Sequence, residues 1–272
     1  SAMNFLSNAD ALIIDLRSNH GGSLDMPPYF ASYFLGAEKQ TLLQFLGRNN
    51  KEEDKTETTT DLEGKRWSGK PLYILTSKET FSAAEAFSYT LKNRKAAVFV
   101  GERSGGGANP VEPKIINSNF VLGLPTYKPV DPLTNTNWEG TGVVPDIEVS
   151  ADKAKETAHI KALEAIADQS KNPEIKWLVE ILKGRYNPVT LNEKTLKSYA
   201  GKYGIRSLFY ENNTLMYQKE GNSKTKLIAI NPTTFVFEDN TDLKIEMIIE
   251  NNKVTGFKRI FSNGDIRVEK RD

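Results

Sequence analysis

The segment Thr80-Phe81-Ser82-Ala83-Ala84-Glu85 follows an apolar run and opens a stretch of helical spacing, so Ser82 falls at the first turn of a helix. Unpaired backbone N–H groups and the helix dipole favour negative charge there, as the oxyanion of an acyl-transfer reaction requires. Taken alone, the segment is better read as a helix whose N-cap is Ser82. Asp15-Leu16-Arg17-Ser18-Asn19-His20-Gly21-Gly22 ends another apolar run in a glycine turn, and glycines let backbone amides approach a ligand closely. An ordinary tight turn is the competing reading. Gly101-Glu102-Arg103-Ser104-Gly105-Gly106-Gly107-Ala108 is a third turn of this kind, but it lacks Walker spacing and a dinucleotide fingerprint, so phosphate binding is not expected. Trp138-Glu139-Gly140-Thr141-Gly142-Val143-Val144-Pro145-Asp146-Ile147 adds the carboxylate of Glu139, by itself a solvated loop residue. Together and in this order, the four segments are expected at the C-terminal ends of sheet strands, where open α/β folds place their sites.

The elements that must position them are short. Ala11 to Leu16, Pro71 to Leu75 and Ala96 to Val100 are apolar runs followed by turns, and read as core strands of one sheet. Between the last two, Ala83, Ala86, Phe87, Thr90 and Leu91 recur at helical spacing over Ser82 to Lys92, which gives strand, helix, strand and an α/β class. Lys51 to Gly64 is charged and without apolar period, as in an exposed loop or hairpin extension. A helix is expected from Ala151 to Asp168 and a second from Pro173, with Trp177, Leu178, Ile181 and Leu182 as its apolar face and Gly184 as its stop. Beyond Tyr199, short β-type runs broken by Asn212-Asn213, Gly221-Asn222, Asn251-Asn252 and Asn263-Gly264 predict a meander or small barrel. The expected organisation is an α/β domain over residues 1–170, a helical linker over 171–190 and a small β domain over 191–272.

Composition narrows the function classes. Lys plus Arg is 36 against 35 for Asp plus Glu, so no basic footprint suggests nucleic acid or an anionic membrane. With no cysteine, thiolate metal sites and a cysteine nucleophile are excluded, while the redox compartment stays open. Two separated histidines and scattered carboxylates show no ligand spacing, so neither metal nor organic cofactor is expected. No apolar run approaches the roughly 18 residues of a membrane span. Ser1-Ala2-Met3 reads as a cloning remnant, and a buried strand starts almost at once, so the sequence is expected to begin inside a larger protein.

Over roughly residues 8 to 150, the motifs Asp-Leu-Arg-x-Asn-x-Gly-Gly, Phe-Ser-Ala-Ala-Glu, Val-Gly-Glu-Arg-Ser-Gly-Gly-Gly-Ala and Glu-Gly-x-Gly-Val-x-Pro-Asp-Ile resemble the C-terminal-processing (tail-specific) serine proteases. The resemblance implies a crotonase-like (ClpP/crotonase) α/β domain that cleaves peptide bonds, with Ser82 as nucleophile and the Ala83 amide in the oxyanion hole. A glycine of the Gly21-Gly22 turn would supply the second amide. The processing proteases activate their serine with a lysine in the glycine-rich turn, and Gly107 stands at that position. Lys78 and Lys92 are read as solvated surface charges. The Gly-Gly-Gly-Ala form instead resembles the tricorn protease and interphotoreceptor retinoid-binding protein branch, where a histidine is the base and a glutamate completes the site. Glu139 matches that glutamate. His159 sits among Lys and Glu as a surface residue, and His20 is the in-chain candidate base, whereas the family's base comes from a segment upstream. The resemblance also implies peptide or protein substrates and an extracytoplasmic location. A catalytically inactive ligand- or peptide-binding module on the same fold is the alternative.

Overall fold

The structure, a computed structural model, describes residues 2–272. The chain divides into two compact units, one ending at Ala162 and the other running from Leu163 to Asp272. The first contains α1 (Ala2–Leu6), β1 (Leu12–Asp15), α2 (Met26–Ala31), β2 (Thr41–Leu46), β3 (Glu52–Glu57), β4 (Leu72–Thr76), α3 (Ala83–Asn93), β5 (Val98–Gly101), β6 (Val111–Asn117), β7 (Phe120–Pro125), β8 (Lys128–Val130) and β9 (Ile147–Glu148). Helix α4 (Ala151–Ser170) carries the chain into the second unit.

A parallel sheet in the order β1-β4-β5-β9 forms the centre of the first unit. Every residue of β4 is buried, as expected of a strand covered on both faces. Successive side chains alternate between the faces. Leu72, Ile74 and Phe99 meet Phe87 and Leu91 of α3 on one side, while Tyr73, Leu75 and Val100 meet Ala154, Ala158 and Ala162 of α4 on the other. Those alanines recur every four residues, so a methyl-sized stripe lets α4 lie close against the sheet. Met3 of α1 is also buried in this core, a packing role that the opening residues were not expected to have.

Because β1, β4 and β5 are parallel, their carboxyl ends share one sheet edge, and the turns that follow them gather there. The fourth motif departs from expectation: it leads into β9 rather than following a strand. It reaches the same edge by folding back onto the glycine turn, where the Gly140 amide donates to the Gly106 carbonyl at 2.8 Å and the Trp138 indole to the Gly107 carbonyl at 3.1 Å. The charged segment near residue 51 supplies β3, which pairs with β2 in a β3-β2-β8 sheet. Strands β6 and β7 pair only with each other.

The second unit adds α5 (Pro173–Tyr186), α6 (Glu193–Tyr199), β10 (Gly201–Tyr203), β11 (Arg206–Glu211), β12 (Thr214–Lys219), β13 (Thr225–Ala229), β14 (Thr234–Phe237), β15 (Leu243–Glu250), β16 (Lys253–Phe261) and β17 (Ile266–Lys270). The strands form one antiparallel meander in sequence order, nearly closed where the Asp272 amide donates to the Lys202 carbonyl at 3.0 Å. Asn212 and Asn213, like Asn251 and Asn252, all have positive φ, the requirement of two-residue hairpin turns. Alternation in β15 sends Leu243, Ile245 and Met247 inward, against Tyr203, Phe235 and Phe257. Helix α5 buries Val179, Ile181 and Leu182 and passes through Gly184 rather than stopping there. A Cβ at Gly184 would stand 2.1 Å from Cγ2 of Ile230, so this glycine serves close packing instead of a helix end. Among the described residues, no helix is long and apolar enough to cross a membrane.

Candidate active site

Ser82 sits between β4 and α3 with φ 53° and ψ −121°, a conformation that L-residues avoid and that costs about 1–3 kcal/mol. Several bonds hold it there. The Phe81 amide donates to the Asn19 carbonyl at 3.0 Å, which ties the serine turn to the first glycine turn, and the Gly105 amide donates to the Thr80 carbonyl at 2.9 Å. Thr80 Oγ1 donates to the Leu16 carbonyl at 2.8 Å, and Ser77 Oγ to the Arg17 carbonyl at 2.5 Å. Gly21, with φ +94°, packs so closely that a Cβ there would lie 2.7 Å from Ser82 Cβ and 2.8 Å from the Ala83 nitrogen. Three chain segments therefore converge on one serine.

Glu85 organises this convergence, a role that its place in the motif alone did not reveal. Its carboxylate is fully buried and accepts four hydrogen bonds: the Ser82 amide (2.9 Å) and Gly107 amide (2.9 Å) on Oε2, and the Gly106 amide (2.7 Å) and Ser104 hydroxyl (2.5 Å) on Oε1. A buried carboxylate is tolerable only when its lone pairs are satisfied in this way. Ser104 Oγ in turn accepts from the Val143 amide at 2.6 Å, so the loop carrying Glu139 is anchored to the same network. A serine or threonine followed three residues later by a glutamate is the capping-box signal by which sequence could have suggested the first of these bonds.

Two cavities adjoin the turn that carries Ser82, and Ser82 itself lines the second. One, of about 280 Å³, is apolar and lined by Leu16, Gly21, Gly22, Met26, Phe30, Ala83 and Phe87. The other, of about 260 Å³, includes Gly22, Leu43, Phe45, Ser82, Ala108, Val111 and Trp138. Gly22 borders both. Among the described residues, no acceptor is paired with the amide of Gly22 or of Ala83. Glu139 is exposed, and its Oε2 accepts the amides of Ala108 (2.7 Å) and Asn109 (3.0 Å), which places it at the far end of the glycine turn from Ser104. A side chain at Gly107 would meet the Phe81 ring, with Cβ 2.1 Å from Cζ.

The charged candidates lie elsewhere. His20 lines a groove of about 1050 Å³ with Asp15, Lys78, Glu79, Glu102 and Asp152; this groove shares Asn19 and Gly21 with the 280 Å³ cavity, and Ser82 is absent from its wall. His159 is exposed on α4. Lys92, expected to be solvated, pairs with Asp146 at 2.5 Å because α3 packs beside the loop into β9. In the groove, Arg17 Nε and Nη2 donate to the two oxygens of Asp15 at 2.9 and 2.6 Å, and Nη1 donates to the Ala151 carbonyl at 2.6 Å. The hydrogen bond from Arg17 holds the Asp15 carboxyl below the usual carboxylate range, against a smaller opposing effect of burial. A depressed folded pKa contributes stability that is present above the unfolded value, about 3.9, and is lost as pH falls through the folded value. Asp15→Asn is therefore expected to lower stability above about pH 4, by no more than about 1 kcal/mol because the pair is partly exposed, and to leave stability at lower pH little changed, so that the acid limb flattens. Thermal unfolding of both proteins across that range checks this.

Residues 1–149 match the sequence profile of peptidase family S41. The chain belongs to peptidase family S41. Among solved structures it resembles the photosystem II D1 C-terminal processing protease (20% identity, 56% of this chain and 38% of that one, TM-score 0.48). It also resembles a lipoprotein from Streptococcus agalactiae (22% identity, 58% and 57% covered, TM-score 0.44) and mature CPAF (16% identity, 67% and 45% covered, TM-score 0.45). The S41 chain thus spans 38% to 57% of the length of these structures. The match ends before α4, so the second unit lies outside the part that defines the family.

Proposed function

We propose that this S41 chain is a serine-type peptidase component in which Ser82 attacks the peptide carbonyl while the Ala83 and Gly22 amides hold the oxyanion. The observation that carries the reading is the pair of unpartnered amides beside a strained serine at a helix N-terminus. Backbone donors fixed before the reaction need no reorganisation when charge develops, and such electrostatic stabilisation is usually the largest catalytic contribution. The apolar cavity lined by Leu16, Met26, Phe30 and Phe87 opens beside those amides and suits an apolar substrate side chain. Glu139, through the Ala108 and Asn109 amides, holds the turn facing Ser82 and orients the site. The unit is crotonase-like in this reading, of the tricorn-like and retinoid-binding-protein-like branch, and it acts on peptides outside the cytoplasm.

In this reading the proton acceptor is a histidine contributed from outside these 272 residues, supported by His20 lining a groove whose wall lacks Ser82 and by the exposed position of His159 on α4. Without it, assistance worth about a hundred- to ten-thousandfold is missing. Treatment with a fluorophosphonate, followed by mass spectrometry, is expected to modify Ser82 in a longer parent protein but not in this chain or in a Ser82→Ala parent. Modification in this chain too would return His20 to the role of base. The placement of both histidines also favours a second reading, a peptide- or ligand-binding module without catalysis. An unmodified Ser82 in every protein would establish it in place of the first.

A further inference from the structure

Strands β6 and β7 form a hairpin whose residues are all exposed, although most are apolar. Such a hairpin alone is marginal in water, and a contiguous apolar surface of this kind marks an interaction site. Its two faces differ. The register pairs Val111 with Pro125, Pro113 with Gly123 and Ile115 with Val121, so these six share a face that carries no polar side chain. On the opposite face, Glu112 and Lys114 stand beside Leu124 and Leu122. Ile115 and Val121 are 77% and 64% exposed, against 37% for Val98 of the central sheet. At the inner end of the apolar face, Val111 forms part of the wall of the 260 Å³ cavity that contains Ser82.

The geometry points to this apolar face as a docking track for an extended, apolar segment of a polypeptide substrate, running from the hairpin into the Ser82 cavity. The inference rests on the peptidase reading above and names its substrate class. Continuity decides the occupant. A chain laid along Val121, Ile115 and Val111 is led to the cavity whose wall Val111 shares with Ser82. The strands supply about 20 Å of track at 3.3 Å per residue, enough for roughly six substrate residues. Alternation in that peptide would set every second side chain on the track, as in other strand-like recognition.

The test measures binding without turnover. Fluorescence anisotropy of a labelled octapeptide alternating valine and serine is followed with the Ser82→Ala chain and with that chain carrying Ile115→Lys, Val121→Lys or Leu122→Lys. A lysine on the apolar face is expected to weaken binding about tenfold or more, from the burial of a large aliphatic side chain that it removes. Leu122→Lys, on the charged face, should remain within about twofold. A glutamate-for-valine peptide should not bind. No binding of the valine peptide, or equal losses on both faces, overturns the inference. Self-association abolished by Val121→Lys with peptide binding unchanged also overturns it, and assigns the face to a second copy. Because the readout needs no reactive serine, binding together with a fluorophosphonate-inert parent would retain the track and reject the peptidase.

Discussion

Glu85→Ala is expected to destabilise the first unit by about 4 kcal/mol or more and to abolish any reactivity of Ser82. The substitution leaves the amides of Ser82, Gly106 and Gly107 and the Ser104 hydroxyl without their acceptor. Each buried donor left unsatisfied costs about 1–3 kcal/mol, and bonds to a charged group lie at the upper end. The strained serine also loses the bond at its own amide, so its backbone can relax from φ 53° toward an ordinary helix entry. Glu85→Gln should rescue little, because an amide keeps one acceptor oxygen and turns an NH₂ group toward two N–H donors. Denaturant unfolding is the measurement. A Gln variant as stable as the parent would show that the carboxylate is not what joins the two turns.

The second large effect is expected from Gly21→Ala. A Cβ at this position falls 2.7 Å from Ser82 Cβ and 2.8 Å from both the Ala83 nitrogen and the Phe81 carbonyl oxygen. The obstacles are one Cβ, fixed to its backbone, and two backbone atoms of the Ser82 turn, none of which a side-chain rotation can remove. The left-handed φ of +94° adds about 1–2 kcal/mol for an L-residue. Relief requires separating the glycine turn from Ser82 and Ala83, and, if the peptidase proposal holds, displacing an oxyanion donor in a parent that carries the base lowers turnover by about a hundred- to a thousandfold. Gly22→Ala is the informative comparison. Its φ of +147° is strained as well, but a Cβ there meets no atom within 4 Å, so stability should fall less than with Gly21→Ala. Equal melting temperatures for the two variants would contradict the close approach of Gly21 to the serine.

Much of the scaffold was legible because its determinants are local. The buried run Leu72–Thr76 and the helix Ala83–Asn93 follow from apolar period, and the hairpin turns at Asn212-Asn213 and Asn251-Asn252 from residues that tolerate positive φ. The motif order around Ser82, Gly21, Gly22 and Glu139 was likewise readable, and so was the membership in S41 that the profile match bears out. Gly184 misled because a glycine that admits Ile230 and a glycine that ends a helix look alike in one dimension. Only the tertiary structure decided that the Glu139 loop reaches the glycine turn from the entry side of β9 and that Glu85 binds Gly106 across 21 residues of sequence. Period and turn chemistry are properties of neighbours along the chain, whereas a carboxylate's partners and a cavity's walls are set by which distant segments the packed sheet brings together, and no single stretch of sequence contains that distance.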